Sequence, residues 1–364
     1  MRLTQEQNEL RATVRSLLAR HEGTDAWRPL TEQIGVASLA VPEKYEGAGC
    51  GAVDVHVVME ELGRVLSPVP LLGSAVLAAQ LLLATGDDEA CARLLPGIAD
   101  GSAVVGVAWA EDGSWDPAAT RATAAPSTAG NRRIDGSKRH VLDGTEADTL
   151  LVTARTGLGV SLFEVAPGDP GAHGETTVTM DRTRPLGRWR FEGAEGRLVG
   201  TDGGGARALE HALDLARTAL AAEQVGAAQA CLDLTVAYTK ERVQFGRSIG
   251  SFQAVKHRLA DAYVLVEAAR SAALGAAFAA EGAELAGFGR YASVAQAAAS
   301  EALSTVAGDM IQLHGGIGIT WEHDAHRYFK RAHSSAQLFG TPDWHRRRIA
   351  RSLDLGRPQE EARP

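Results

Sequence analysis

Cysteine is nearly absent. Cys50, Cys91 and Cys231 are the three thiols of the chain, widely separated and odd in number. They allow neither a disulfide framework nor a cysteine metal cluster. Each reads as a small core or surface residue, no metal site is expected, and a reducing cytoplasm is the expected compartment. Aromatic residues are also scarce, at 5%. Alanine is abundant instead, which favours helices packed closely through small side chains. No apolar run reaches the roughly eighteen residues a membrane span needs. Positive charge is in deficit, with 37 Lys and Arg against 45 Asp and Glu, so neither nucleic acid nor an anionic membrane is an expected partner. Met1-Arg2-Leu3-Thr4-Gln5-Glu6-Gln7 runs straight into a helical pattern and does not read as a signal peptide.

What is present is enough for two or three domains in 364 residues. Thr4 is placed to cap a helix over 4–22, with Leu10, Val14, Leu17 and Leu18 at helical spacing. Further helices are predicted over 26–36, 54–66, 72–84 and 87–98, with a glycine-rich loop between Val41-Pro42 and Gly51. Near residue 103 the pattern changes to short valine-rich runs at 104–110, 140–142, 149–154 and 160–165, separated by Gly, Pro, Asp and Asn. A compact barrel or sandwich is predicted there, with Arg188–Glu192 as an edge strand. After Thr201-Asp202-Gly203-Gly204-Gly205 the chain reads as helical over 206–239, 251–282, 285–313 and 342–354, enough for a four-helix bundle. The expected fold class is α+β multidomain: a helical domain over 1–102, a β domain over 103–202 and a helical bundle over 203–364.

Two motifs fall in the last third. Arg242-Val243-Gln244-Phe245-Gly246 follows the first long helix and runs on to Phe252-Gln253 and Leu259-Ala260-Asp261. Arginine offers a fixed fork of donors suited to a pyrophosphate, an aromatic covers an adenine or ribose face, and an amide reads an adenine edge. Arg-x-x-Phe-Gly alone reads rather as a solvated arginine and a core phenylalanine at a helix corner, and the run through Phe252-Gln253 and Leu259-Ala260-Asp261 makes it specific. Gln312-Leu313-His314-Gly315-Gly316-Ile317-Gly318 ends a helix in glycines that let backbone amides approach a phosphate, or it is a plain helix C-cap. Tyr328-Phe329-Lys330-Arg331 follows it.

Together these motifs resemble the dinucleotide half of the flavin site in acyl-CoA dehydrogenases. The resemblance covers nearly the whole chain, including Leu39-Ala40-Val41-Pro42-Glu43, Met59-Glu60-Glu61-Leu62-Gly63 and the boundary near Trp109. It implies that Arg242, Phe245, Gln253, Gln312, Gly315 and Gly316 hold the ADP portion of an FAD whose ring lies mainly in a neighbouring subunit of an oligomer.

The family's catalytic glutamate, which takes the substrate's α-proton, has two known positions. Phe339 stands at one, in Leu338-Phe339-Gly340-Thr341-Pro342, and Ala216 at the other, before Arg217. Neither side chain accepts a proton, so no catalytic residue is identified. The family's Thr-Glu-Pro reads Ala110-Glu111-Asp112 here, and its Trp-x-Thr reads His140-Val141-Leu142. The chain is similar to the short subunits of bacterial α2β2 acyl-CoA dehydrogenases, which also carry sequences like Trp321-Glu322-His323-Asp324. The implied partners are a homologous catalytic subunit, an acyl-CoA thioester, in some relatives a bulky sterol fragment, and an electron-transfer flavoprotein. The alternatives are a self-sufficient homotetramer with an unrecognised base, or a same-fold enzyme with altered chemistry.

Other carboxylates and histidines have ordinary readings. Glu210, Asp214, Glu223, Glu322 and Asp324 read as helix-surface or intersubunit ion-pair partners, His314 and His323 as structural, and Asp343 as the cap of the last helix. Arg346-Arg347-Arg348 reads as complementing acidic neighbours.

Overall fold

The computed structural model describes residues 1–112, 114–127, 130–282 and 287–355. Helix α1 (Gln5–Leu18) opens with a capping box between Thr4 and Gln7, as its sequence requires, and buries Val14, Leu17 and Leu18. The helix expected over 26–36 is broken up. A 3-10 turn leads into the single turn α2 (Trp27–Pro29), and a π turn, Leu30–Ile34, ends at Gly35 with φ 74°. Pro29 has no N–H to give a regular helix. Helix α3 (Ala52–Arg64) follows the glycine-rich loop, and Arg11 and Arg15 of α1 pair with its Glu60 and Glu61 at 3.0 and 2.7 Å. The segment Leu71–Ala78 is wound as a π helix and continues as α4 (Ala79–Thr85), and α5 (Asp88–Ala99) completes the helical region.

Among the described residues seven strands make the middle region: β1 (Val105–Ala108), β2 (Thr123–Pro126), β3 (Arg132–Leu142), β4 (Thr149–Thr156), β5 (Gly159–Val165), β6 (Ala172–Thr176) and β7 (Leu186–Val199). The pairings β4–β2, β2–β3, β3–β7, β7–β5 and β5–β4 close a barrel. β1 adds parallel to β4, and β6 adds antiparallel to β7. The predicted edge strand at 188–192 is instead the middle of the longest strand, paired on both sides. Trp189 and Phe191 point into the barrel and Arg188 and Arg190 out of it, so the alternation marks an inside and an outside rather than an edge. The run at 140–142 is only the end of β3. Its inward face carries Lys138, fully buried, which conceals the hydrophobic alternation.

The last region is built on α6 (Gly205–Glu241), α7 (Gln253–Glu281) and α8 (Phe288–His314), which pack on one another largely through alanines such as Ala221, Ala273, Ala295 and Ala299. Helices α9 (Ala325–Ser335) and α10 (Pro342–Ser352) close against α8. α9 was not expected from the sequence. α10 is capped by Thr341, whose hydroxyl accepts from Trp344 N, and not by Asp343, which lies inside its first turn. α3 crosses α6 at Gly63 and Gly226, where a Cβ on either glycine would run into the other helix's backbone. Among the described residues, α7 alone is long and apolar enough to cross a membrane by length and composition. A third (33%) of its most apolar stretch is buried, against α6 and α8.

Candidate functional site

Helix α6 stops at Glu241, and Arg242 turns extended with ψ 119°. The chain then makes a tight hairpin, β8 (Val243–Gln244) with β9 (Arg247–Ser248), whose tip is Phe245 and Gly246 at φ 52° and 77°. Two left-handed residues match the twist of a two-residue hairpin, and Phe245 is held there despite its bulk. Ile249 N donates to Arg242 O at 2.8 Å, which fastens the hairpin base. Phe245 is 92% exposed, which rules out the core-phenylalanine reading. Its ring meets Phe252 edge-on at 6.1 Å, and Arg247 lies over Phe252 at 4.1 Å. Gln253 opens α7 in solvent. The Arg242 side chain is exposed and forms no ion pair among the described residues.

The second motif closes α8. Gln312 is exposed in the last turn, and Gly315 at φ 59°, ψ −138° starts the 3-10 turn Gly315–Ile319. A Cβ on Gly315 or Gly316 would meet nothing within 4 Å, so the space over both is open. The two motifs share one end of the bundle. Tyr238 stacks on His314 at 4.3 Å and donates to its carbonyl at 3.3 Å, and Arg258 pairs with Asp309 at 2.9 Å. His314 is structural: its buried Nδ1 lies 2.7 Å from Met310 O, and burial holds its pKa below the usual value. His323 accepts from Ala325 N at the start of α9. These exposed donors and open glycines fit the dinucleotide end of an FAD.

The base positions lie in a different environment. Ala216 and Phe339 are buried in one apolar cluster with Leu213, Leu220, Leu338 and Trp109. Phe339 sits at φ 61°, and its carbonyl accepts from Arg217 Nε at 3.3 Å. Arg217, fully buried, also reaches Asp214 at 2.7 Å and Glu210 at 3.1 Å and lies over the Trp344 ring at 4.9 Å. Arg348 joins Glu210 and Asp214 at 2.6 and 2.7 Å, and Arg346 pairs with Glu301, so the basic run does complement acidic neighbours. Burial, Arg217 and Arg348 push His345 down to about 3.

Glu223 corrects its surface reading. It is 6% exposed and is held inside the chain by Arg184 and by Arg331 at 2.5 Å, and Arg331 also pairs with Asp181 at 2.9 Å. The carbonyls of Thr183 and Leu66 fix Arg331 further. Glu322 is exposed, and Asp324 pairs with Arg327 at 3.0 Å on the surface. Sequence reasoning passed over Asp143, on the β3–β4 turn. Burial pushes its carboxyl up to about 7 against the pull of Arg184 and Arg331.

The positions matched to the flavin ring pack against other side chains of this chain. Trp115 lies 5.7 Å from Trp109 and 5.5 Å from His140, a tilted stack of three rings. Ala110 is buried in the cluster that holds Ala216 and Phe339. Glu111 is committed to the buried Lys138 at 2.7 Å and to the amides of Arg121 and Ala122. Burial pushes Lys138 down to about 8. The ring end of an FAD therefore has no polar cradle here. Among the described residues no group of three or more His, Cys, Asp or Glu could hold a metal ion.

Comparison with known proteins agrees with this fold. The model of the acyl-CoA dehydrogenase N-terminal domain matches residues 4–102, and that of the C-terminal domain matches 203–353. The chain is 41% identical to acyl-CoA dehydrogenase IpdE2 of Mycobacterium tuberculosis, covering 96% of each, and 34% identical to FadE27 of the same organism, covering 90% of this chain and 88% of that one. Among solved structures it is similar to a chain of the Tcur3481-Tcur3483 steroid acyl-CoA dehydrogenase (TM-score 0.87, 36% identity, 96% and 98% covered). It is similar also to a chain of the ChsE4-ChsE5 complex from Mycobacterium tuberculosis (TM-score 0.87, 31% identity, 97% and 98% covered). With family models over most of its length and relatives matched nearly end to end, the chain belongs to the acyl-CoA dehydrogenase family of oxidoreductases.

Proposed function

We propose that this chain is the non-catalytic subunit of an FAD-dependent acyl-CoA dehydrogenase, contributing the ADP half of a flavin site completed by a homologous catalytic subunit in an α2β2 assembly. The observation that carries the proposal is a pairing of opposites. The dinucleotide-end residues stand open to solvent, while both base positions are buried apolar side chains in one sealed cluster. Arg242 would clamp the pyrophosphate, Phe245 would cover the adenine or ribose, and Gln253 would read the adenine edge. Gln312 and the backbone at Gly315 and Gly316 would line the rest. When bound, FAD supplies the hydride acceptor for α,β-desaturation of an acyl-CoA, and the α-proton would go to the partner's base, since neither Phe339 nor Ala216 can hold one. Electrons would then pass to an electron-transfer flavoprotein.

An interface for the partner is supported by α7 and α8, which expose Tyr263, Val264, Leu265, Tyr291 and Val294. The Tcur3481-Tcur3483 steroid acyl-CoA dehydrogenase and the ChsE4-ChsE5 complex, to which the chain is similar, support both the assembly and a bulky CoA thioester as substrate class. The unpaired thiols Cys50, Cys91 and Cys231 are in keeping with a reducing cytoplasm. Domain boundaries near 102 and 202 follow from the same reading.

A self-sufficient homotetramer would need a base, and Asp143 is the carboxyl best able to be neutral near pH 7. The flavin spectrum and mass of the chain, alone and co-expressed with a homologous subunit, separate the two. A colourless lone chain and about one flavin per heterodimer support the shared site. One flavin per subunit in a lone, active tetramer overturns it.

A further inference from the structure

Of the two strands that add to the barrel from outside its ring, one is covered and one is not. β1 is buried along its length, and its Val105 N–H is taken by Ser74 Oγ at 2.9 Å. β6 pairs with β7 alone among the described residues, and His173, Gly174, Glu175 and Thr176 are all exposed. The usual guards of an open edge are missing. β6 carries no Lys and no Pro, and it pairs with β7 without a register shift, so no bulge turns it away.

The ends of β6 fix which backbone groups face outward. Glu192 N donates to Gly171 O at 2.8 Å, and Thr177 N donates to Leu186 O at 2.8 Å, so residues 171 and 177 turn their backbone toward β7. The direction alternates along an antiparallel ladder. His173 and Glu175 therefore bond to β7 as well, and Ala172, Gly174 and Thr176 face away from it. Ala172 N agrees with this phase, since it donates to Asp169 O at 2.9 Å. The N–H groups of Gly174 and Thr176 and the carbonyls of Ala172 and Gly174 are left on the open side.

This edge is complementary to itself. Set antiparallel to a second copy with Gly174 opposite Gly174, the two glycines exchange both bonds, and each Thr176 N–H meets the Ala172 carbonyl across from it. His173 then lies directly opposite Glu175 in a non-hydrogen-bonded pair, where side chains come closest. Both stand on the outer face of the barrel, in register with Arg190 and Arg188. Within the chain His173 lies 3.6 Å from Glu192 and Glu175 lies 3.4 Å from Arg188. The joined outer face thus reads Arg190, His173, then Glu175 and Arg188 of the copy, and the imidazole meets an acceptor whether neutral or charged. Gly174 brings no side chain to the axis, and its inner side is filled by the Trp189 ring, which a Cβ would meet at 2.6 Å. Just past the strand, the same register carries Val178, 98% exposed, toward the exposed Pro170 of the copy. Other registers lose this match. An axis at Ala172 sets Glu175 against Asp169 and needs an N–H already taken, and one at Thr176 sets Glu175 against Thr177.

We propose that β6 is a self-association edge, through which two copies of this chain join antiparallel with Gly174 on the twofold axis. The contact uses none of the flavin-site residues and stands whether or not that reading holds. A strand pair this short is smaller than a standard interface, so association is expected between about 10 μM and about 1 mM. Sedimentation equilibrium of the full chain should show the mass of its smallest assembly doubling over that range. Thr176→Pro removes an outward N–H and leaves the bonds to β7, since proline is accepted where a strand's N–H faces solvent. It should weaken the doubling step at least about tenfold, because one bond is lost from each copy. His173→Glu and Glu175→Lys each spoil the pair on both sides of the axis and should weaken the step at least about fivefold. An equimolar mixture of the two sets the new carboxylate of one against the new ammonium of the other, and should return to within about threefold of wild type. A mass that stays constant to about 1 mM overturns the proposal. So does a doubling that Thr176→Pro or the single charge variants leave intact, or a mixture that stays as weak as its components. Should Thr176→Pro not fold, the charge variants, both on the exposed outer face, decide alone.

Discussion

At the Arg242 end of the bundle, side chains stand in solvent on a hairpin and a glycine turn. At the Ala216–Phe339 end they are sealed among leucines and a tryptophan. By the resemblance, in a complete family member the first end holds the ADP of a flavin whose ring lies in the neighbouring subunit, and the second serves the ring in its own. On the proposed reading the fold discards the chemistry and keeps the grip, because the two are built on different structure. The grip rests on backbone turns at helix ends, which tolerate loss of everything beyond them. The chemistry rests on a cavity, and a cavity with no ligand to fill it is a stability cost. Larger side chains remove that cost, and here Phe339 is buried and Trp115 packs between Trp109 and His140.

The sharpest way to break the comparison is to put a base back. Phe339→Glu places a carboxylate in an apolar cluster whose buried cation, Arg217, already has Asp214 and Glu210. Chemical denaturation should report a loss of about 3–5 kcal/mol, with no gain of dehydrogenase activity in the lone chain. Activity on an acyl-CoA with an artificial acceptor would mean the region is a dormant site rather than a filled one.

A smaller effect comes from the ion-pair core that joins the loop before β7 to α6 and α9. Glu223→Gln leaves Arg331 with Asp181 and takes from Arg184 its ion-pair partner, and about 3 kcal/mol should be lost. If Glu223 were a substitute base instead, the variant would keep its stability and the complex would lose turnover.

Asp143 offers a pH test of the same region. Its folded pKa, pushed up to about 7, lies above the unfolded value. Folding therefore favours the protonated form. The contribution is fully present below about pH 4 and is lost as pH rises through 7. Asp143→Asn should raise stability at pH 8 by at least about 1 kcal/mol relative to wild type and change it little at pH 4. An equal effect at both pH values would point to a hydrogen-bonding role instead.

These tests fall where the sequence was hardest to read. The proposed dinucleotide end is read from contiguous motifs whose residue types carry their chemistry in the side chain, and the structure adds that they are exposed. That Ala216 and Phe339 carry no carboxylate is plain in the sequence; that both are buried in one apolar cluster is not. What stayed hidden depended on pairing across the fold. Lys138 inside the barrel disguised β3, and only Glu111, 27 residues earlier, explains why it is tolerated. Glu223 looked like a surface carboxylate because its partners Arg184 and Arg331 are 39 and 108 residues away. Thr341 rather than Asp343 caps α10, a local shift of two positions that the adjoining Pro342 at the first helical position signals.

The smallest expected effect on the chain's own stability is at the open end, and there the comparison is most exposed to failure. Arg242 is solvated and unpaired, so Arg242→Ala should change unfolding free energy by no more than about 0.5 kcal/mol. In the complex with a catalytic subunit, the same variant should lose flavin at least about tenfold more readily, the equivalent of one charge-assisted contact of about 1.4 kcal/mol. Arg242→Lys should rescue only part of this, because an ammonium keeps the charge but not the planar fork. Size-exclusion mass and the flavin-to-protein absorbance ratio measure both quantities on one sample. Normal flavin retention by an intact Arg242→Ala complex would remove the grip from this end of the bundle, leaving a subunit that has kept the fold of an acyl-CoA dehydrogenase and neither half of its flavin site.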